Sequence, residues 1–204
     1  MNGLGLDQAN ASQGLEPIPA GTICVLVMKI KPGNCGIDGL CRRSSKGDSE
    51  GLDVEYVVQG DKYDKRKIYA FHLLDGVTSG HAKAGEITRA LLRAIFESVN
   101  GIDPNDNSPT AISRRASASL ADFNGATFLC ELGIERGGLK PDGSAWPDKN
   151  IISKVLRPGD AGYRKLDQPP PSPIERSAPP ITPNQANGSP AVAPTAIAKP
   201  TWAE

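Results

Sequence analysis

Residues Asp53–Leu74 read DVEYVVQGDKYDKRKIYAFHLL, and the fold turns on this stretch. From Asp53 to Gln59, Val54, Tyr56 and Val58 alternate with Glu55, the period-two pattern of a strand with one buried face. A turn centred on Gly60–Asp61 follows, and Lys67–Leu74 is a second run with strand composition. Two such runs joined by a short polar turn predict a β-hairpin.

On the N-terminal side, Gly21–Lys31 is a β-branched, apolar run ended by the Pro32–Gly33 breaker, and it predicts another strand. Between it and the hairpin, Gly36–Gly51 is rich in glycine, serine and charge without periodicity, which predicts a long loop of the kind that carries function or stays disordered. Residues 1–17 are polar and glycine-containing, a flexible leader.

On the C-terminal side, His81–Val99 has helical spacing. Ala84, Ile87, Leu91, Ile95 and Val99 form one apolar stripe, and Lys83, Glu86, Arg89, Arg93 and Glu97 are expected to face water. Thr78 or Ser79 can cap its start and Asn100–Gly101 can end it. After a polar connection with a short helical piece at Ala111–Leu120, Ala126–Glu135 alternates again through Phe128, Cys130, Leu132 and Ile134. A glycine-rich loop, Gly137–Asp148, leads to a last short strand at Asn150–Leu156. Beyond it, residues 167–204 are dense in proline and alanine and bury too little apolar area to offset ordering.

Three strands, a helix and two strands are the element order of an OB-fold, a five-stranded, partly open barrel. The expected fold class is mainly β with one main helix. An OB-like five-stranded barrel occupies residues 18–166, followed by a disordered proline-rich C-terminal tail.

The chain has 204 residues, and the body without the tail has the size of one domain. It carries 23 basic and 23 acidic residues, so a nucleic-acid surface has to be local rather than announced by net charge. Met1–Ala20 lacks the charged and apolar regions of a signal peptide, and no stretch is long and apolar enough to span a bilayer, so a cytoplasmic protein without membrane contact is expected. Cys24 and Cys130 sit inside apolar runs, and in a reducing compartment none of Cys24, Cys35, Cys41 and Cys130 is expected in a disulfide.

The motifs of catalysis are missing. Asp53, Glu131, Glu135 and Asp148 fall into no recognised constellation, the histidines lack a nucleophile motif, and Gly36–Gly51 contains no phosphate-binding loop. Cys35 and Cys41 are spaced too widely for a zinc knuckle. The expectation is a non-enzymatic protein with no cofactor and no metal.

Binding of single strands needs cations to replace counterions and aromatic faces for bases to stack on. Lys62, Tyr63, Lys65, Arg66 and Lys67 supply both around one turn, Tyr56 and Tyr69 lie on the flanking strands, and Arg42, Arg43 and Lys46 come from the preceding loop. In an OB barrel the second and third strands with the first and fourth loops form the ligand face, so these residues would converge.

Five short pieces carry a family resemblance: Pro19-Ala20-Gly21-Thr22; Tyr63-Asp64-Lys65-Arg66-Lys67 before an aromatic strand; Ala84-Gly85-Glu86-Ile87 with Leu91-Leu92; Phe123-Asn124-Gly125; and Pro147-Asp148-Lys149-Asn150. Together they resemble a phage-associated family of unknown function, often described as single-stranded-DNA-binding. The resemblance implies a non-catalytic OB-like protein acting in phage or prophage DNA replication or recombination. Its partner would be single-stranded DNA, with replication or recombination proteins reached through the tail. The alternative is a protein-interaction or scaffold module docking a replication or virion partner. The two differ in whether Tyr63, with Tyr56 or Tyr69, faces solvent beside the basic residues.

Overall fold

Alternation in the first apolar run becomes β1 (Ile23–Ile30), with Cys24, Leu26, Met28 and Ile30 buried. The computed structural model describes residues 16–36 and 38–166, so the expectations for residues 1–15 and for the tail lie outside the described residues. After β1 come β2 (Arg42–Arg43), β3 (Ser49–Gln59), β4 (Lys67–Gly76), α1 (Ser79–Asn100), α2 (Pro109–Ala116), β5 (Thr127–Glu135) and β6 (Lys149–Val155). Short 3-10 turns cover Asp61–Tyr63 and Leu120–Phe123.

All pairings are antiparallel and form one sheet. β1 is central, with β3 on one side and β5 on the other; β4 lines the far edge of β3, and β6 the far edge of β5. Short β2 pairs Arg42 with Gly51 and Arg43 with Glu50. Leu52, Val54, Tyr56, Val58, Ile68, Phe128, Cys130 and Leu132 join the buried residues of β1 in one core.

Among the described residues no ladder joins β4 to β6, so the sheet is open and the expected barrel is not closed. Glu16–Ile18 occupy this opening. Ile18 is fully buried; its N–H donates to Asn150 Oδ1 at 2.8 Å, and its carbonyl accepts from Asn150 Nδ2 at 2.7 Å. From the β4 side, the Arg66 guanidinium donates to the Glu16 carbonyl. Glu16 and Pro17, expected in a flexible leader, therefore belong to the fold.

The Gly36–Gly51 segment is likewise not an irregular loop. Cys35 and Cys41 exchange backbone hydrogen bonds of 2.9 and 3.2 Å, β2 pairs with the start of β3, and Ser44 N–H donates to the Ser49 carbonyl at 2.9 Å to close the turn. A two-residue strand leaves too little alternation to be read from sequence.

Thr78 caps α1 by accepting from His81 N–H, and Gly101 ends it in the left-handed conformation, as the sequence predicts. The buried stripe differs from expectation: it runs through Gly85, Thr88, Leu92 and Ile95, while Ile87 is 65% exposed. The cause is Gly85, where a Cβ would stand 2.4 Å from the Leu74 carbonyl oxygen. A bare backbone there lets the helix rest directly on β4 and sets its rotation.

Glu97, expected to face water, is fully buried. Its Oε1 accepts from Arg93 Nε and Arg115 Nε, both at 2.8 Å, and its Oε2 from Arg157 Nη1 at 3.1 Å. Burial opposes ionisation of this carboxyl, but the hydrogen bonds and charge of the arginines outweigh it and hold the group below its ordinary value.

Candidate nucleic-acid interface

The outward residues of β3 and β4 build the surface of interest. Tyr69 and Phe71, two apart on β4 and therefore on one face, are 56% and 53% exposed. They stand opposite Glu55 and Asp53 of β3. Phe71 leans over Gly51, where a Cβ would come within 2.6 Å of its ring, so the bare glycine forms the floor under that aromatic.

Cations surround these rings. Lys31 Nζ lies 4.9 Å from the Tyr69 ring centroid and 3.4 Å from Asp53 Oδ1. Arg42 Nη1 reaches Asp53 Oδ2 at 3.1 Å, Lys67 Nζ reaches Glu55 Oε1 at 3.1 Å, and exposed Lys29 stands opposite Glu55 on β1. The hydrogen bond and charge of Glu55 hold the Lys67 ammonium above its ordinary value. Four basic side chains thus flank two carboxylates on this face, a local positive excess in a chain of zero net charge.

Beside Tyr69 the surface falls into a cleft of about 380 Å³ at the β4–β6 opening, lined by Pro17, Arg66, Lys67, Tyr69, Asp148 and Lys149 among others. Asp148 and Lys149 also line a second cleft of about 410 Å³, which continues to Arg136, Gly137 and Trp146. The β5–β6 connection that holds Trp146 is a small hairpin: Leu139 bridges Ala145, Trp146 N–H donates to the Gly138 carbonyl at 2.8 Å, and Gly137 N–H donates to Asp148 Oδ1 at 2.9 Å. Gly137 is obligatory, because a Cβ there would fall 1.7 Å from the Trp146 carbonyl oxygen. This arrangement leaves Trp146 58% exposed, with Lys140 Nζ 5.0 Å from its ring.

The sequence-predicted residues divide. Lys67 and Tyr69 lie on the aromatic face, Arg42 at its edge, and Arg66 in the adjoining cleft. Arg43 pairs with Glu50 through Nε at 2.8 Å on the same edge hairpin, and Lys46 is exposed at its turn. Lys62 and Lys65 are exposed in the β3–β4 connection, Lys65 with φ 64°. Tyr56 is not at the surface. It is 1% exposed, its hydroxyl pairs with His72 Nε2 at 2.8 Å, and burial raises its pKa while lowering that of His72. Its place among the expected binding residues is therefore corrected: it shares the inward face of β3 with Val54 and Val58. Tyr63 is half-buried and packs on the core, its ring within 5.1 Å of Lys62 Nζ and 5.8 Å of the Arg66 guanidinium carbon.

Phe71, Trp146, Lys31 and Lys149 were not named as site residues from the sequence. Trp146 had a readable signal: a tryptophan in a polar, glycine-rich stretch has no apolar alternation to bury it. The carboxylates weighed for catalysis are spread out: Asp53 among cations on β3, Glu135 paired with Lys149 at 3.2 Å, and Asp148 bonded to Gly137 N–H. Among the described residues no group of three or more His, Cys, Asp or Glu is arranged to hold a metal ion, and no helix is long and apolar enough to cross a membrane. Compared with known proteins, the chain matches no family model and no curated sequence.

Proposed function

We propose that the protein binds single-stranded DNA without catalysis, on the outer face of β3 and β4 and the clefts that continue to Trp146. The observation that carries this reading is the pair Tyr69 and Phe71, more than half exposed and set among Lys29, Lys31, Arg42 and Lys67. Large aromatic rings left in water forgo their burial free energy, and a cationic border makes such rings a poor start for a dry protein interface. Bases and phosphates fit both halves of the arrangement: each stacked base is worth about 1–3 kcal/mol, and each neutralised phosphate releases counterions. Side chains two apart on a strand are separated by about 6.6 Å, so adjacent bases can each take one ring.

Strand pairing supports the same reading. With β2 counted as part of the first connection, the first strand pairs with the second and the fourth, the third follows the second, the fifth follows the fourth, and the helix comes between third and fourth. We read this order as OB-like, with Glu16–Ile18 lying where a closing ladder would run. In OB-folds the second and third strands, flanked by the first and fourth loops, bind oligonucleotides. Here those loops bring Arg42 and Arg43 on one side and Lys140 and Trp146 on the other. A phage or prophage replication or recombination setting follows from the resemblance of the five sequence pieces.

The test is fluorescence anisotropy of a labelled single-stranded oligonucleotide titrated with the full chain over a series of salt concentrations, with a duplex control. The expected result is binding that favours single strands, falls linearly in log salt, and weakens about 5- to 100-fold in each of Tyr69→Ala and Trp146→Ala. Salt-independent binding, equal affinity for duplex, or full affinity in both variants overturns the proposal.

A further inference from the structure

A third cleft, of about 420 Å³, opens on the helical side of the sheet between α1, the Leu120–Phe123 turn and the end of β4. Its floor is apolar: Leu74, Leu92, Phe96, Leu120 and Phe123, with the two phenylalanine rings tilted at a centroid distance of 6.3 Å. Its rim carries Arg89, Arg93 and Arg115. Leu74 is an inward residue of β4, so this cleft and the Tyr69–Phe71 face lie on opposite sides of the same sheet.

The three guanidinium groups differ in what they already hold. Arg115 is 12% exposed and committed through all its nitrogens: Nε to Glu97, Nη1 to the Asp106 carbonyl at 2.7 Å and Nη2 to the Asp103 carbonyl at 2.9 Å. Arg93 binds Glu97 through Nε and the Pro104 carbonyl through Nη2 at 3.4 Å but remains 53% exposed with Nη1 uncommitted among the described residues, and exposed Arg89 uses Nη1 to hold the Leu74 carbonyl at 2.9 Å. Arg93, Arg115 and Arg157 converge on the single carboxylate of Glu97, which leaves the rim electropositive. Among the described residues neither Asp122, hydrogen-bonded by Ser119, nor Asp106, hydrogen-bonded by Ser108 N–H, forms an ion pair with Arg89 or Arg93. Arg89 and Arg93 are one helical turn apart, spaced to meet two carboxylates.

We propose that this cleft docks a short acidic segment of a partner protein, one large aromatic or aliphatic side chain seated on the apolar floor between carboxylates that pair with Arg89 and Arg93. The floor itself is all hydrocarbon, and Ser119, the cleft's one polar side chain besides its arginines, is already bonded to Asp122, which favours an apolar anchor over a base edge. The cleft has the volume for one large side chain and is bordered by two exposed guanidiniums, each with further N–H groups uncommitted, which fits an anchor flanked by acids better than a long chain with a single carboxylate.

The test uses the full chain and a labelled heptapeptide with one central tryptophan flanked on each side by two aspartates. Control peptides carry alanine at the centre, or lysine in place of every aspartate. Expected is saturable binding with a dissociation constant of about 100 μM or tighter, weakened at least about tenfold in either control and in Arg89→Glu, whose position is exposed and outside the Glu97 cluster. Leu120→Ala weakens it through the floor, and thermal unfolding verifies that both variants are folded. Single-stranded oligonucleotide does not displace the peptide, because its face is on the other side of the sheet. No binding at about 1 mM, equal binding of the alanine-centred peptide, an unaffected Arg89→Glu variant, or displacement by the oligonucleotide overturns the proposal.

Discussion

Tyr56 and Tyr69 lie on adjoining strands and meet opposite environments. The first hands its hydroxyl to His72 in the core, and the second keeps its ring in water. Replacing Tyr56 by Phe removes one buried hydrogen bond and leaves the packing against Phe128, so stability falls by about 1 kcal/mol while oligonucleotide affinity is unchanged. Chemical denaturation beside anisotropy separates the two effects, and a loss of affinity without loss of stability contradicts the assignment. Burial lowers the His72 pKa, so the folded state favours the neutral ring. Its contribution to stability is present above the ordinary histidine value near 6.5 and is lost as pH falls through that value toward the lower folded one. The denaturation midpoint therefore declines as pH falls below about 6.5, and His72→Gln flattens that limb. Glu97 acts in a lower window. Its folded pKa is depressed, so its contribution is present above the ordinary carboxyl range and disappears as pH falls below it. Glu97→Gln leaves three arginines without their shared anion and costs about 3 kcal/mol or more, read by equilibrium denaturation.

At the scale of elements, alternation or a β-branched apolar run bounded by turn residues marked every strand of four or more residues, and the caps marked both ends of α1, because these signals are local. What sequence could not give depends on contact between elements. The rotation of α1 follows from Gly85 meeting the Leu74 carbonyl, and the burial of Glu97 from arginines on α2 and after β6. The same limit applied to the candidate site. Period two sends Tyr69 and Phe71 to one side together, but only the assembled sheet decides which side. Trp146 is an element-scale case, since its hairpin closes only over a bare Gly137. Gly137→Ala should open that hairpin and reduce oligonucleotide affinity nearly as much as Trp146→Ala. Stability should change little, because the loop is exposed, and parallel anisotropy and thermal melts check both halves of this expectation.

Over the whole molecule, zero net charge hides a division of labour. Among the described residues, Lys29, Lys31, Arg42 and Lys67 gather with Asp53 and Glu55 around the aromatic face of the sheet, and Arg89, Arg93 and Arg115 line the cleft beside α1. Salt dependence of oligonucleotide binding should therefore report the local cluster, with a slope of a few units, rather than the overall balance.

Glu16–Ile18 has a further consequence. Asn150 grips both the N–H and the carbonyl of Ile18, so one side chain stands in for the missing pair of ladder bonds, and Arg66 secures the next carbonyl but one from the opposite lip. Arg66 also lines the cleft where a strand would enter, so occupancy of that cleft and the grip on the chain before β1 share one guanidinium. The Ile18 amide then becomes a built-in reporter. A phosphate that draws Arg66 away loosens the segment and quickens deuterium uptake at Ile18, while the amides of β1 beneath it keep their protection. Unchanged uptake at Ile18 when oligonucleotide saturates the protein would mean that the strand passes over the aromatic face without entering the cleft.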